Sequence, residues 1–197
     1  MPQGQTGPRT LVLASGSPRR LELLRQIGIE PDLIDPPHID EAPRRAEPPQ
    51  AYAARMAREK LAAIAARHPG AWVLAADTVV ACGRRILPKA ETEAEARNCL
   101  KLLSGRRHRV LGGIALAAPD GRATERLAVT SVAMKRLTEA EIADYLASGD
   151  WHGKAGGYAI QGRAAAFIPW INGAYSNVVG LSLSDVVGML TSLGWRA

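Results

Sequence analysis

The sequence predicts an α/β protein, because short apolar runs typical of buried strands alternate with segments of helical periodicity. Residues 10–28, TLVLASGSPRRLELLRQIG, begin as a strand, continue through a small polar turn and end as a helix. Residues 72–81, WVLAADTVVA, are the most strand-like run in the chain. Thr92 and Glu95 have the spacing of a capping box, which predicts a helix over 92–103.

The composition indicates a globular protein of one domain, or of two lobes that share a cleft. Of the 197 residues, 47% are hydrophobic and 22% are charged, and no apolar run approaches the roughly 20 residues of a membrane span. We expect a single domain over 10–197 after a flexible extension at residues 1–9. The extension lacks the apolar segment of a secretion signal, so we predict a cytoplasmic protein that does not contact membranes.

The positive charge of the chain predicts an anionic partner. The net charge is +6 and the isoelectric point is near 9.7. Nucleic-acid binding is one alternative, but the arginines are spread over many segments and aromatic residues do not interleave with them. A polyanionic small molecule explains the excess charge equally well.

Cysteine and histidine give no sign of a metal centre or of nucleophilic catalysis. Cys82 and Cys99 are far apart in sequence and form no CxxC motif, so we predict free thiols in or near the core. The four histidines belong to no recognisable catalytic motif, and the sequence contains no Walker loop or GxGxxG motif.

The start of the first predicted helix has the features of an anion-binding site. Ser17 is the predicted N-cap and Pro18 the first helical residue. Arg19 and Arg20 follow in the first turn, where the helix macrodipole disfavours cations by several tenths of a kcal/mol. A bound anion would reverse this effect, so with the hydroxyls of Ser15 and Ser17 the arginines predict a triphosphate cradle. An ordinary capped helix with solvent-facing arginines stays open.

The next predicted helix carries a second candidate. We expect a strand over 31–35, a proline-rich loop over 36–49 that contains Glu41, and a helix over 48–67. A helical wheel places Lys60 within an apolar face formed by Tyr52, Ala53, Met56, Ala57, Ala63 and Ile64. Because an unpaired buried ammonium costs several kcal/mol, Lys60 must either meet an anion or extend to solvent. From the residues alone, Glu41 is simply a solvated carboxylate.

Asp77 lies in the middle of the strand predicted over 72–81. Strands flanked by valine and leucine on both faces are usually buried, and a carboxylate there needs a metal, a cation or several hydrogen-bond donors. We expect a turn over 82–85 and a short return strand over 86–87 that leads to Lys89. Because its carboxylate needs such a partner, Asp77 is the acidic residue of the candidate site.

The second half of the chain is predicted to contain two hairpins and two helices. The elements are a hairpin over 108–117 and 123–135, a helix from Thr138 to about Ser148, a hairpin over 165–171 and 175–179, and a helix over 184–193. Asn172-Gly173 is a strong type I′ turn signal for the second hairpin. We expect helical stripes to bury Leu21, Leu24 and Ile27 in the first helix and Val186, Val187 and Leu190 in the last.

A glycine-rich stretch over 153–162, GKAGGYAIQG, supplies further polar candidates. Four glycines in ten residues favour a close approach between the backbone and a ligand or another segment. Lys154 can meet an anion, and the amide of Gln161 offers both a donor and an acceptor, which suits the edge of a pyrimidine base. Connecting loops can also be rich in glycine without binding anything.

Several of these motifs together resemble the Maf (septum formation protein) family of nucleoside triphosphate pyrophosphatases. LASGSPRRLELLRQIGI is similar to its N-terminal signature, AREK to its A-x-x-K helix, Asp77-Thr78 to its Asp-Thr motif, and KAGGYAIQG to its dTTP/UTP subgroup. The resemblance runs from Leu11 to about Leu183. It implies an α/β fold with two lobes around an elongated mixed sheet with flanking helices, similar to inosine triphosphate pyrophosphatases, with the active site in the cleft between the lobes.

The resemblance also implies an activity and the residues that perform it. It implies hydrolysis of dTTP and UTP, and of modified pyrimidine nucleotides, to the monophosphate and pyrophosphate, with Mg²⁺, Mn²⁺ or Co²⁺ as the divalent cofactor and a homodimer as the assembly. Asp77 matches the catalytic acid-base position, and Glu41 matches an acidic residue that would share the metal with it. The further catalytic positions are Lys60 and Lys89; the substrate-binding positions are Ser15, Ser17, Arg19, Arg20, Thr78, Lys154 and Gln161, of which Arg19, Thr78 and Gln161 set nucleotide preference.

The chain departs from the family pattern at four positions. Gly153 stands where family members commonly have aspartate, and Pro88 precedes Lys89 where the family has the lysine first. Ala174 and Ser182 replace a serine and a proline near the C-terminus. The first two departures leave open a regulator of cell division that binds nucleotides without turnover, while retention of Asp77 favours the enzyme.

Overall fold

The computed structural model describes residues 10–195, so the predicted extension at residues 1–9 lies outside the described residues. The strands are β1 (Leu11–Ala14), β2 (Leu33–Ile34), β3 (Trp72–Cys82), β4 (Arg85–Leu87), β5 (Lys89–Ala90), β6 (Arg107–Ala117), β7 (Ala123–Ala133), β8 (Lys154–Ala155) and β9 (Trp170–Asn172). The α-helices are α1 (Pro18–Gln26), α2 (Pro49–Ala65), α3 (Glu93–Leu103), α4 (Glu139–Ala147), α5 (Tyr175–Val179) and α6 (Leu183–Leu193). A 3-10 helix spans Arg163–Phe167.

One mixed sheet organises these elements. Its strand order is β2-β1-β3-β6-β7-β9, and β4 pairs with β3 outside this path. β1 is parallel to β2 and β3, whereas the pairs of β3 with β6, β6 with β7 and β7 with β9 are antiparallel. β5 and β8 form a separate two-stranded sheet. The predicted mixed α/β fold is therefore confirmed.

Helices cover both faces of the sheet because strand side chains alternate between the faces. Leu11, Leu13 and Leu74 pack with α1 and α6 on one face, while Val12 and Val73 pack with α2 on the other. Gly113 in β6 allows α2 to approach closely, since a Cβ atom there would overlap the backbone carbonyl of Ala53. A separate hydrophobic core lies beneath α3 and α4.

Most predicted elements are confirmed with small shifts of their ends. Both capping boxes form, Thr92 with Glu95 and Thr138 with Glu141. The long hairpin forms as β6 and β7. Cys82 and Cys99 are free thiols. No helix within residues 10–195 is long and apolar enough to cross a membrane.

The predicted hairpin around Asn172-Gly173 is wrong. Asn172 ends β9, but the following segment forms the short helix α5, and residues 163–167 form the 3-10 helix. The amide of Asn177 in α5 donates to Val110 O at 3.1 Å and to Thr130 Oγ1 at 3.0 Å, and its side chain is fully buried. These long-range contacts stabilise a helix where local turn chemistry favours a strand.

Two residues that were predicted to be buried in helical stripes are exposed. Ile27 is exposed because α1 ends at Gln26, and Leu23 is buried in its place. Val187 is exposed, and the buried stripe of α6 consists of Val186, Met189, Leu190 and Leu193. That stripe has the spacing i, i+3, i+4 and i+7 of a single helix face, from which Val187 is offset by about 100°.

Candidate functional site

One cavity of about 450 Å³ is lined by every side chain that the sequence analysis assigns to the site. It is bounded by the β1–α1 turn, β3, the loop before α2, the glycine-rich segment and the end of α5. The predicted residues in its wall are Ser15, Ser17, Arg19, Arg20, Glu41, Lys60, Asp77, Thr78, Lys89, Lys154 and Gln161. They come from segments far apart in the sequence, so the fold brings them together.

The cavity opens where β3 lacks a strand on one edge. On this edge, β1 pairs with β3 only as far as Ala75, and β4 begins to pair with β3 at Val80. In the described part of the chain, residues 76–79 of β3 therefore pair with β6 alone. Asp77 and Thr78 occupy this gap. Asp77 is paired with Gly113 and faces α2, whereas Thr78 faces the opposite side, toward α1 and α5.

Arg20 organises the β1–α1 turn from inside the protein. Its guanidinium donates to Gly180 O at 2.9 Å, Ser15 Oγ at 2.8 Å and Thr78 Oγ1 at 3.1 Å. Burial lowers the pKa of Arg20, and the nearby Asp77 carboxylate opposes this effect. Three of its five N–H groups are used internally, which leaves two for a ligand.

Arg19 and Lys154 are two further cations in the cavity wall. Arg19 is about half buried and its Nε donates to Val179 O at 3.3 Å. Lys154 Nζ donates to His152 O at 3.0 Å. Burial lowers the pKa of both side chains, and the charge of Arg19 lowers the pKa of Lys154 further. A bound anion would relieve this repulsion.

The serines of the turn offer hydroxyl groups to the cavity. Ser15 Oγ accepts hydrogen bonds from the backbone N–H of Ser17 and from Arg20, which leaves its own proton available for a ligand oxygen. Ser17 is the N-cap of α1 by backbone position, but its side chain makes no capping hydrogen bond. Of the residues predicted to form the cradle, Arg20 and Ser15 are joined by a hydrogen bond, whereas the Ser17 side chain makes no capping bond.

Asp77 is held in the sheet by Lys60. Lys60 Nζ lies 2.7 Å from Asp77 Oδ1, and the two side chains are 6% and 5% exposed. Lys60 projects from the buried face of α2, as its position in the apolar stripe predicts. Between the two open alternatives for Lys60, the structure shows that it meets an anion, which is Asp77 itself.

Glu41 extends this ion pair into a chain of four charges. Glu41 Oε1 lies 2.9 Å from Lys60 Nζ, and its Oε2 lies 3.0 Å from Lys89 Nζ. Partial burial acts to raise the pKa of Glu41, but hydrogen bonds and charge from Lys60 and Lys89 outweigh it, so the pKa lies below its usual value. Despite the altered Pro88-Lys89 order, Lys89 reaches the cavity.

The glycine-rich segment closes the far wall. Gly156 and Gly157 have φ angles of +70° and +69° and pack against Val80 and Ala96 so closely that a Cβ atom at either position would crowd them. Gln161 lines the cavity with an exposed side chain. The segment is thus fixed against the core while it presents a polar amide to the cavity.

Sequence reasoning missed three contributors to this site. The carbonyls of Val179 and Gly180 accept hydrogen bonds from Arg19 and Arg20. The Val-Val-Gly sequence that contains them was visible near the C-terminus and could have indicated this role. Tyr158 lines the cavity, and its hydroxyl lies 2.7 Å from Nε2 of the buried His108. Burial lowers the pKa of His108 to about 4, so this imidazole is neutral at pH 7.

The donor set suits a metal that also binds substrate. Within residues 10–195, no group of three or more His, Cys, Asp or Glu side chains is placed to hold a metal ion. Magnesium commonly uses one or two carboxylates together with substrate phosphate oxygens. Asp77 and Glu41 are the two carboxylates in the cavity wall, and both contact Lys60 Nζ, so they are the residues that could hold such an ion together with a substrate phosphate.

Charge balance favours an oligophosphate ligand. Five cationic side chains line the cavity against the two carboxylates of Glu41 and Asp77. The volume of the cavity lies within the range of small-molecule sites. A compact site with excess positive charge, hydroxyl donors and a buried carboxylate can bind a phosphate chain and stabilise charge on a leaving phosphate.

Comparisons with known proteins find related sequences and a related fold. The model of the Maf-like protein family matches residues 10–193. The chain is 64% identical to a dTTP/UTP pyrophosphatase of Paramagnetospirillum magneticum, over 94% of this chain and 97% of the relative. It is 60% identical to a dTTP/UTP pyrophosphatase of Caulobacter vibrioides, over 96% of this chain and 98% of the relative. A solved HAM1 protein structure from Coxiella burnetii shares the fold, with a TM-score of 0.51 at 17% identity, over 93% of this chain and 99% of that one.

Proposed function

The chain belongs to the Maf family, and from this premise we propose that it hydrolyses nucleoside triphosphates, with dTTP and UTP preferred, to the monophosphate and pyrophosphate. The names of its relatives support the reaction and the substrates. The observation that carries the proposal is the buried Asp77, held by Lys60 at the edge of a cavity rich in cations.

In the proposed complex the cations bind the triphosphate. Arg19, Lys89 and Lys154 line the cavity and supply charge, and Arg20 contributes its remaining donors together with the Ser15 hydroxyl. Hydrogen bonds between charged donors and phosphate oxygens are short and strong. Positive charge placed around the β- and γ-phosphates stabilises the negative charge that develops on the departing pyrophosphate.

We propose that water attacks the α-phosphorus while the bond from that phosphorus to the α,β-bridging oxygen breaks. Asp77 accepts a proton from the water, and the bond electrons leave with pyrophosphate. A divalent cation held by Asp77 and Glu41, which we propose to be Mg²⁺, Mn²⁺ or Co²⁺, would lower the pKa of water and neutralise phosphate charge. Lys60 orients the Asp77 carboxylate, because its Nζ lies 2.7 Å from Oδ1.

Nucleotide preference is proposed to depend on Arg19, Thr78 and Gln161. The Gln161 amide can donate to one carbonyl of a uracil or thymine base and accept from its ring N–H. Thr78 donates to Gly180 O at 3.2 Å and accepts from Arg20, so its own position is fixed. We expect it to act by shape more than by new hydrogen bonds.

Isotope labelling tests the proposed bond cleavage. Hydrolysis of dTTP in water enriched in ¹⁸O should place the label in the monophosphate, because attack at the α-phosphorus attaches the new oxygen there. Label in pyrophosphate would mean attack at the β-phosphorus. Release of inorganic phosphate without pyrophosphate would mean cleavage at the γ-position and would contradict the proposal.

We also propose a homodimer formed through β7. Within the described residues, β9 pairs with β7 only at 131–133, and Thr130 is buried and donates to Ala174 O. Residues 123–129 therefore have no strand partner on this edge, and Leu127 and Val129 are exposed there. Open apolar edges pair readily with another chain. Val129→Asp should convert a dimer into a monomer in light scattering, whereas a wild-type monomer would contradict this proposal.

A further inference from the structure

The loop that carries Glu41 has no regular structure of its own. Residues 35–48 connect β2 to α2 without a helix or strand. Holding such a segment in one conformation costs roughly 1–2 kcal/mol of backbone entropy for each residue. A carboxylate needed at a fixed place on this loop therefore needs contacts that hold the backbone near it.

Two side chains of α2 supply contacts to the backbone at Glu41. The hydroxyl of Tyr52 donates to Glu41 O at 2.7 Å, and Arg55 Nη2 donates to Ala42 O at 3.2 Å. Both acceptors lie at the position of the carboxylate or next to it. Tyr52 is buried, so its hydroxyl has little access to water as an alternative partner.

Arg55 also fixes the far end of the loop. Its Nε lies 2.7 Å from Glu47 Oε1 and its Nη2 lies 2.7 Å from Glu47 Oε2, a bidentate pair. The two side chains are 11% and 9% exposed. Glu47 Oε2 in turn accepts from the backbone N–H of Arg44 at 2.9 Å, and a hydrogen bond from Arg55 lowers the pKa of Glu47 to about 2.

We propose that Arg55, together with Tyr52, positions the Glu41 carboxylate for the reaction. This inference rests on the proposed function. α2 then fixes Glu41 in two ways, because Lys60 holds its side chain while Tyr52 bonds its carbonyl and Arg55 bonds the carbonyl of the next residue. Neither Arg55 nor Glu47 lines the cavity, so Arg55 acts through the loop and not by touching substrate.

Arg58 provides a matched control on the same helix. It also forms a bidentate pair with a glutamate, since Arg58 Nε and Nη2 lie 2.8 and 3.0 Å from the Oε1 and Oε2 atoms of Glu125. Glu125 belongs to β7 and not to the loop. Arg55→Ala and Arg58→Ala therefore each remove a bidentate ion pair from α2, but the Arg58 pair is more exposed and does not hold the loop.

The kinetic test is a double-mutant cycle with Glu41→Gln, measured as kcat/KM for dTTP. Arg55→Ala should lower kcat/KM at least about tenfold, Arg58→Ala by less than about twofold, and Arg55→Ala should add nothing in the Glu41→Gln background. Arg55→Lys should recover only part of the loss, because lysine cannot form the bidentate pair. Full additivity with Glu41→Gln, or equal effects of Arg55→Ala and Arg58→Ala, would overturn the proposal.

Trypsin supplies a readout that does not require turnover. Arg44 and Arg45 lie on the loop and are exposed, so release of the loop should speed cleavage after them. Arg55→Ala should increase the rate of this cleavage at least about fivefold over wild type, and Arg58→Ala should not. An unchanged rate of cleavage in Arg55→Ala would refute the positioning role, whether or not the wild type releases pyrophosphate. Failure of the wild type to release pyrophosphate would refute only the proposed function.

Discussion

Lys60 Nζ lies 2.7 Å from Asp77 Oδ1 in the interior, and this pair joins the buried face of α2 to the middle of β3. Each residue places a charge among apolar neighbours, which is costly for an unpaired group. Together they compensate each other. The same contact leaves the other Asp77 oxygen free of protein hydrogen bonds in the described part of the chain and directed into a site that also contains Glu41.

Replacement of Lys60 should therefore impair both catalysis and stability. We expect Lys60→Ala to lower kcat or raise KM for dTTP at least about tenfold, or about 1.4 kcal/mol. The fold should lose several kcal/mol, because removal of one partner leaves a buried charge uncompensated. Steady-state kinetics and urea unfolding measure the two effects. The double variant Lys60→Met, Asp77→Asn should regain stability but not activity. Unchanged kinetics in Lys60→Ala would contradict a role of Lys60 in catalysis.

Gln161 should control nucleotide choice without affecting the fold. Its side chain is exposed in the cavity wall, so Gln161→Ala should leave the melting temperature within about 1 °C. The ratio of kcat/KM for dTTP over dCTP should fall about tenfold, the usual effect of losing a base-edge hydrogen bond. An unchanged ratio would place the base elsewhere in the cavity.

His108 should make the fold sensitive to mild acid. Its folded-state pKa of about 4 lies below its ordinary value of 6.5, so the unfolded chain binds the proton more readily between these values. Stability is thus fully present above pH 6.5 and declines as the pH falls toward 4, by about 2 kcal/mol between pH 7.5 and pH 5. Urea unfolding at both pH values measures this decline. In His108→Gln most of the decline should disappear, and an equal decline in both proteins would assign it to other groups.

Gly113 should be required for the packing of α2 against β6. A Cβ atom at this position would overlap the backbone of Ala53, which cannot move without shifting the helix. Gly113→Ala should cost about 1–3 kcal/mol in the free energy of unfolding. Gly188 in α6 is the control, since a Cβ there meets no atom within 4 Å and Gly188→Ala should stabilise the helix by roughly 0.5–1 kcal/mol. Equal effects of the two substitutions would contradict this account.

The parts of the fold that the sequence predicts are those set by local chemistry. The capping boxes of α3 and α4, the strand around Asp77 and the apolar face of α2 around Lys60 are all visible in short windows. The α5 segment is not, because Asn177 is held by Val110 and Thr130, which are far away in the sequence. Tertiary contacts override the turn signal there.

The candidate site shows the same division. Residue type singles out Arg20 as a phosphate ligand, but three of its N–H groups are used by Ser15, Thr78 and Gly180. Partners that lie 58 and 160 positions away cannot be found from periodicity. The resemblance to a family named residues that the structure places in the cavity wall. How the loop that bears Glu41 is held can be seen only from the three-dimensional contacts.

Pyrophosphate release by the wild type and by Asp77→Asn decides whether the protein is an enzyme that depends on Asp77. Wild type and Asp77→Asn should be assayed in parallel with the common ribonucleoside and deoxyribonucleoside triphosphates, in the presence of Mg²⁺ or Mn²⁺. We predict release that is fastest with dTTP and UTP and is reduced at least about a hundredfold in Asp77→Asn, because the amide cannot accept the proton of water. If the wild type binds nucleotides but releases no pyrophosphate under any of these conditions, the proposed enzymatic activity is contradicted. A nucleotide-binding regulator would then be favoured.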